Sequence, residues 1–207
     1  KMAEAAHIRT ARHTLIRMAD GELGYLSLRM DRGQKGEKAS MLDMCQLSNR
    51  LTEHKYHGTY QQLAETIKKY SSAPMLDVQR FWEVVLFSWI TGNSDMHCKN
   101  FSLIDTGNGE YTLAPAYDLL AVLLADPEDT EEMAMSFTVG GDKKGFDRNT
   151  FLTAFTQSGI PIAVAVRMIE RMKDNLPTWK ELISQSFLPD KMKADYCLLL
   201  SKRIDLL

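Results

Sequence analysis

The sequence predicts a mainly helical α+β fold, with a small β piece leading into a helical body. Three observations carry that prediction. Asp20-Gly21 stands between two alternating runs, Arg12 to Met18 and Leu23 to Met30, which is the pattern of a hairpin with a tight turn. Thr106-Gly107-Asn108-Gly109 separates Asn100–Ile104 from Tyr111–Ala114 and marks a second hairpin. Between them, Val78 to Ile90 carries Phe81, Trp82, Val85, Leu86, Trp89 and Ile90 and is apolar nearly all round, as a buried central helix must be.

The other elements come in order. Met2 to His7 reads as the end of a helix. Gly33 to Lys38 is a polar loop after the first hairpin. From Ser40 the pattern turns helical, with Met41, Leu42, Cys45 and Leu47 leading to Leu51. A further helix runs from Tyr60 to Tyr70, and Pro74 breaks the chain before the central helix, which Gly92 ends. Asp126 to Glu132 is an acidic surface loop and Met133 to Val139 a short strand. Helices finish the chain, broken at Gly159-Ile160-Pro161, Pro177 and Pro189.

Composition narrows the function class. The 207 residues, 44% hydrophobic and 25% charged, are ordinary for a globular domain. A net charge of −2 supplies no whole-chain electrostatic argument for direct nucleic-acid binding. Cys45, Cys98 and Cys197 are odd in number and not in Cys-x-x-Cys pairs, which argues against a disulfide framework or zinc ribbon and fits a reducing, cytoplasmic setting. The longest apolar run, Val84 to Ile90, is too short for a bilayer, so no membrane association is expected. The chain opens on Lys1 with a helix under way, so a start further upstream is expected.

The chemistry concentrates in Thr91-Gly92-Asn93-Ser94-Asp95-Met96-His97-Cys98-Lys99-Asn100, between the buried helix and a strand. Asp95 and Asn100 have the Asp-x4-Asn spacing of a protein-kinase catalytic loop, in which the Asp takes the substrate hydroxyl proton and the Asn holds Mg2+. Transfer of a γ-phosphoryl needs a base facing the nucleophile and hard oxygen ligands holding the metal; a short loop pinned by a buried helix places both. The second hairpin then returns to Ala114-Pro115-Ala116-Tyr117-Asp118-Leu119, where Asp118 takes the place of the kinase metal-binding Asp. Asp118 has a plainer reading as the cap of a helix over Leu119–Leu124.

The stretch Gly92 to Ser102 resembles the G-N-x-D-x-H-x-K-N-F-S signature of HipA-type bacterial toxin kinases, and Leu113 to Leu119 resembles their x-x-P-x-Y-D-[LV] segment. Tyr25 to Arg32 is similar to the strand ending in R-[FI]-D-R that forms their interlobe hinge, and Lys55-Tyr56 with Gly58 fits a family turn. The resemblance covers essentially the whole chain. It implies a protein-kinase-like large lobe over residues 33–207, with a partial small lobe and hinge over residues 1–32. It implies a serine/threonine kinase that uses ATP and Mg2+, with Asp95 as base and Asn100 and Asp118 as metal ligands. Leu28 and Met30 would then offer backbone C=O and N–H to adenine, and Asp31 would reach the ribose. Lys99 either faces the γ-phosphate, as a catalytic residue, or lies on the surface. His97, where kinases usually place a Lys, either contacts the nucleotide or shapes the loop. The family further implies a protein substrate in translation, such as an aminoacyl-tRNA synthetase, and a DNA-binding antitoxin partner.

The sequence departs from a complete kinase. It has no Gly-rich phosphate loop and no lysine strand, so this chain alone is expected to bind ATP poorly. Two other readings stand beside the toxin kinase. One is a small-molecule kinase of the aminoglycoside or choline phosphotransferase type, whose loops carry His-Gly where Asn93-Ser94 stands. The other is a kinase-fold scaffold without activity, against which the intact Asp95, Asn100 and Asp118 speak.

Overall fold

The computed structural model describes residues 1–33, 35–126, 131–138 and 140–207. Its centre is α4 (Pro74–Thr91), with Phe81, Trp82, Val85, Leu86, Trp89 and Ile90 all fully buried. Each such side chain contributes roughly 1.5–3 kcal/mol by leaving water. α3 (Tyr60–Tyr70) begins at a capping box in which Thr59 and Gln62 exchange hydrogen bonds, and it packs on α4. An aromatic cluster fuses these helices to later parts of the chain: Phe81 meets Phe101 edge to face at 4.8 Å, and Trp82 stacks on Phe137 at 5.8 Å. Pro74, expected as a break, is instead the first residue of α4, where its missing N–H costs nothing.

The first hairpin forms as expected. β1 (His13–Arg17) pairs antiparallel with β2 (Leu23–Ser27), with His13 opposite Ser27. Gly21 turns the chain at a φ of 90°, and the Asp20 carboxylate accepts from the Glu22 amide at 3.0 Å. The second hairpin also forms, β4 (Ser102–Asp105) with β5 (Tyr111–Leu113). β4 has a further partner, β3 (Met41–Asp43), giving a three-stranded sheet in the order β3-β4-β5. The helical reading of Ser40–Leu51 is therefore corrected. Met41–Asp43 is a strand, and only Met44–Leu47 (α2) is α-helical, capped by Asp43 and Gln46.

Other boundaries move. Of Met133–Val139, the described residues make only a single bridge, Ser136 to Thr59, and Val139 lies outside them. Most of the acidic loop, residues 127–130, also lies outside the described residues. The helix expected over Leu119–Leu124 is a short α5 (Val122–Ala125). Four helices finish the chain: α6 (Arg148–Gln157), α7 (Ile162–Asp174), α8 (Leu176–Ser184) and α9 (Asp190–Asp205). The first residues of the chain belong to this body. α1 (Met2–Ala5) packs on α8, where Trp179 Nε1 donates to the Met2 carbonyl at 2.9 Å. Among the described residues no helix is long and apolar enough to cross a membrane.

Asp77 ties the central helix to the sheet. It is fully buried in the first turn of α4. It accepts from the Ser71 hydroxyl and the Leu113 amide, both at 2.7 Å, and pairs with Arg80 at 3.2 Å. Asp77→Ala strips two buried donors of their acceptor and is expected to cost about 3 kcal/mol. Chemical denaturation of the wild type and the variant measures it; a loss below about 1 kcal/mol would show that water replaces the carboxylate.

Candidate active site

α4 ends at Gly92, whose φ of 75° is left-handed and whose added Cβ would stand 2.7 Å from Leu199 Cδ2. Only glycine fits there without strain. The chain emerges as a largely buried loop whose only regular piece is a 3₁₀ turn at Cys98–Asn100, so its backbone groups need partners. Several are met within the loop or by its neighbours. The His97 amide donates to the Asp95 carbonyl at 2.8 Å, and the Asn100 amide to the His97 carbonyl at 2.9 Å. The buried Tyr60 hydroxyl donates to the Met96 carbonyl at 2.8 Å. The Cys98 amide and thiol both donate to the Lys55 carbonyl, at 3.2 and 2.9 Å. Burial and the neighbouring Cys45 push the Cys98 thiol up to about 12.

Asp95 is half-buried and accepts from the Tyr56 hydroxyl at 2.8 Å. Tyr56 meets the His97 ring edge to face at 5.1 Å, and the Lys55 ammonium lies 4.7 Å from the Tyr56 ring centre. Burial, then the hydrogen bond to Asp95, raises the Tyr56 phenol above its ordinary value. His97 is 5% exposed, and its Nδ1 has no hydrogen-bond partner among the described residues. Burial first, then the Lys55 charge, lowers its pKa, so the ring is neutral at pH 7.

Asn100 and Asp118 sit on segments stitched together. Asn93 Nδ2 donates to the Asp118 carbonyl at 3.1 Å. The Tyr117 hydroxyl donates to the Lys99 carbonyl at 2.8 Å and lies 2.7 Å from Ser102 Oγ. Tyr117 is thus a stitch, and burial pushes its phenol up to about 12. Asn100 Nδ2 donates to the Asp95 carbonyl at 3.0 Å, which leaves Oδ1 as the amide atom for a cation. Asp118 is exposed, holds a left-handed φ of 56°, and its carboxylate makes no hydrogen bond or ion pair among the described residues. A non-glycine residue held there costs about 1–2 kcal/mol, a strain typical of functional positions. The capping reading fails: α5 starts at Val122 with Ala121 as its N-cap, well beyond Asp118. Among the described residues no three His, Cys, Asp or Glu side chains could cage a cation. The donor set of one amide oxygen and one carboxylate fits Mg2+, which keeps most of its shell for water and phosphate oxygens.

The remaining predicted residues are placed differently. The Lys99 ammonium is bound to Asp43 at 2.6 Å, so this side chain ties the loop to β3 and the start of α2. At residues 28–30, expected to form a hinge, the Leu28 amide is spent on the Arg12 carbonyl at 2.7 Å, while the Leu28 carbonyl and the Met30 amide make no backbone hydrogen bond among the described residues. Asp31 is clamped by Arg29 at 2.7 Å and Arg32 at 2.6 Å, and the Arg29 hydrogen bond holds its carboxyl down at about 2. An open apolar groove of about 680 Å3 runs between α1, β1, residues 116–121 and residues 182–188, and Asp95, His97, Asn100 and Asp118 do not line it. Sequence reasoning missed Tyr56 and Asn93 as site residues; for Tyr56 the Lys-Tyr-His-Gly turn was the available signal.

The model of the HipA-like C-terminal domain matches residues 1–180. Two Sinorhizobium fredii proteins, provisionally named kinases Y4mE and Y4dM, are 28% identical over 137 residues and 35% identical over 112 residues. Those matches cover 64% and 53% of this chain but 32% and 27% of the relatives, so the chain spans about a third of their length. Among solved structures, a chain from the Shewanella oneidensis MR-1 toxin–antitoxin complex of HipA, HipB and operator DNA superposes with a TM-score of 0.81 at 19% identity, over 99% of this chain and 53% of that one. The Helicobacter pylori proinflammatory kinase CtkA gives 0.68 at 14% identity, over 100% of this chain and 80% of that one. At such identities the likeness is one of fold. The family match, which takes in both hairpins, the loop of Asp95 and Asn100, and Asp118, places this chain in the HipA-like C-terminal domain family.

Proposed function

We propose that this chain supplies the phosphoryl-transfer lobe of an ATP- and Mg2+-dependent serine/threonine protein kinase of the HipA type. One observation carries the reading. The segment bearing Asp95 and Asn100 and the segment bearing Asp118 are stitched by side-chain hydrogen bonds from Asn93 and Tyr117, while the Asp118 carboxylate is left uncommitted. Residues 33–207 act as the large lobe; of residues 1–32, α1 packs on that lobe, and the hairpin with the segment up to Arg32 acts as hinge and partial small lobe. The exposed apolar residues of the β1–β2 hairpin, Leu15, Tyr25 and Leu26 among them, support a small lobe completed by further chain.

In this reading Asp95 accepts the proton of the substrate hydroxyl. Tyr56 engages Asp95 Oδ1 and fixes the plane of the carboxylate, which leaves Oδ2 toward the substrate. Asn100 Oδ1 and the Asp118 carboxylate hold Mg2+, which neutralises phosphate charge when bound. The Leu28 carbonyl and Met30 amide receive the adenine edge, and Asp31 faces the ribose from its arginine clamp. His97 presents a neutral Nδ1 to the nucleotide. Lys99 anchors the loop through Asp43, and a direct catalytic part for it requires that ion pair to open. The substrate is a protein of the translation apparatus, such as an aminoacyl-tRNA synthetase, in the cytoplasm. The regulatory partner is a DNA-binding antitoxin, by analogy with the HipA and HipB complex.

Two predictions test this. In the full-length protein, Asp95→Asn is expected to keep Mg-ATP affinity and to lose phosphoryl transfer by about 10²–10⁴-fold. Asp118→Ala is expected to weaken Mg-ATP by roughly tenfold or more, about 1.4 kcal/mol. Calorimetric titration and labelled-ATP transfer into a cell lysate read both. Wild-type turnover in Asp95→Asn, unchanged affinity in Asp118→Ala, or label confined to small molecules would each contradict the proposal.

A third prediction concerns Tyr56. The Asp95 carboxylate, as acceptor and as negative charge, disfavours the phenolate, and burial does so more strongly. Asp95→Asn is therefore expected to lower the Tyr56 pKa. Ultraviolet difference titration against Tyr56→Phe measures this, and an unmoved Tyr56 would show that the two side chains are apart in solution.

A further inference from the structure

Two thiols face each other between α2 and the loop of the candidate base. Cys45, in α2, and Cys98, three residues after Asp95, are both buried and free, with their sulfurs 2.9 Å apart. A disulfide bond is about 2.05 Å long, so closure asks the sulfurs to approach by about 0.9 Å. Neither element is free to swing away, because the Met44 amide donates to the Phe101 carbonyl at 2.9 Å and Lys99 is bound to Asp43. Such preorganisation gives the pair a high effective concentration toward each other. The third thiol, Cys197 in α9, has no such sulfur neighbour among the described residues.

We propose that Cys45 and Cys98 are a redox pair that closes to a disulfide under peroxide and so bears on the Asp95 loop. One thiolate attacks hydrogen peroxide: an S–O bond forms, the O–O bond breaks and hydroxide leaves, giving a sulfenic acid. The second sulfur then attacks the sulfenic sulfur: the S–S bond forms, the S–O bond breaks, and the thiol proton leaves with the departing hydroxide as water. Overall, two thiols and one peroxide give one disulfide and two waters, with two electrons passing from sulfur to oxygen. Peroxide is little larger than water, so it reaches thiols that burial hides from bulkier reagents. Burial slows the reaction, and closure is expected over minutes to hours.

The consequence for the site comes through one hydrogen bond. The Cys98 thiol donates to the Lys55 carbonyl, next to Tyr56, which in turn holds Asp95. The disulfide has no S–H to donate. Oxidation therefore removes one of the two bonds that hold the Lys55 carbonyl on the loop and disturbs Tyr56 on Asp95. This coupling to transfer rests on the reading of Asp95 as the base.

The test treats the full-length protein with hydrogen peroxide, then unfolds it, alkylates free thiols and maps the peptides by mass. The expected result is a Cys45–Cys98 linkage two mass units lighter than the dithiol and reversed by dithiothreitol. That linkage should be absent from Cys45→Ala and from Cys98→Ala. Thiols 45 and 98 still alkylated after treatment, sulfinic acids in place of the linkage, or a crosslink to Cys197 would overturn the pair. The mapping requires no kinase activity, so it stands if the proposed function fails. With transfer measured beside it, oxidation is expected to lower the rate in wild type, with recovery on reduction, and to spare Cys45→Ala. A mapped disulfide with an unchanged wild-type rate would overturn the coupling to the loop.

Discussion

A buried loop with only one short 3₁₀ turn of its own must find other partners for most of its backbone, and the candidate site depends on that constraint. Residues 93–100 leave the most apolar helix of the chain and stay largely out of water. An unpaired buried carbonyl or amide costs about 1–3 kcal/mol, so several unmet groups would exceed the marginal stability of a domain. Tyr60, Asn100 and Tyr117 each meet one loop carbonyl, and the Lys55 carbonyl receives Cys98. The same bonds that satisfy the backbone aim the side chains. Asn100 spends its amide hydrogens on Asp95 and thereby presents its oxygen. Asn93 and Tyr117 draw in the segment of Asp118. Solvation of the loop and preorganisation of the site are one arrangement.

The sheet performs the same task at longer range. β3 comes after residues 28–32, β4 after Asn100, and their pairing fixes the two segments on one platform. On the other side of the hairpin, residues 9–11 are tied to Ala116, two residues before Asp118, by amide–carbonyl bonds of 2.7 and 2.9 Å. The hairpin itself shows which apolar surface is left open. Tyr25 is 65% exposed and Leu26 51%, and a lone two-stranded ribbon with such residues is marginal in water. Its anchoring at both ends is what holds it in place here.

The central helix, both hairpins and the residues of the candidate site were legible because each is written locally. An apolar helix needs its run of large side chains, a tight turn needs glycine at positive φ, and oxygen chemistry on a phosphate needs Asp and Asn at a set spacing. β3 was not legible. Met41, Leu42, Cys45 and Leu47 fit a helical stripe, and only pairing with β4, some sixty residues on, makes Met41–Asp43 a strand. The Asp43-x-x-Gln46 capping box did carry the true helix start. The ion pair of Lys99 with Asp43 and the contact of Tyr56 with Asp95 join residues far apart in the chain, and nothing in local spacing encodes them. The short α5 likewise reflects a chain held at Asp118 and Asn93 before the apolar run can wind into helix.

Asn100 and Asp118, as one metal site beside Asp95, are the centre of the proposed chemistry. The most direct measurement is diffraction from crystals of the full-length protein grown with manganese and a non-hydrolysable ATP analogue, recorded where manganese scatters anomalously. A shared site predicts an anomalous peak bonded to Asn100 Oδ1 and the Asp118 carboxylate at about 2.1–2.3 Å, the range of hard-cation–oxygen bonds. A nucleotide bound with no peak there, or with the ion held by other residues, would contradict it.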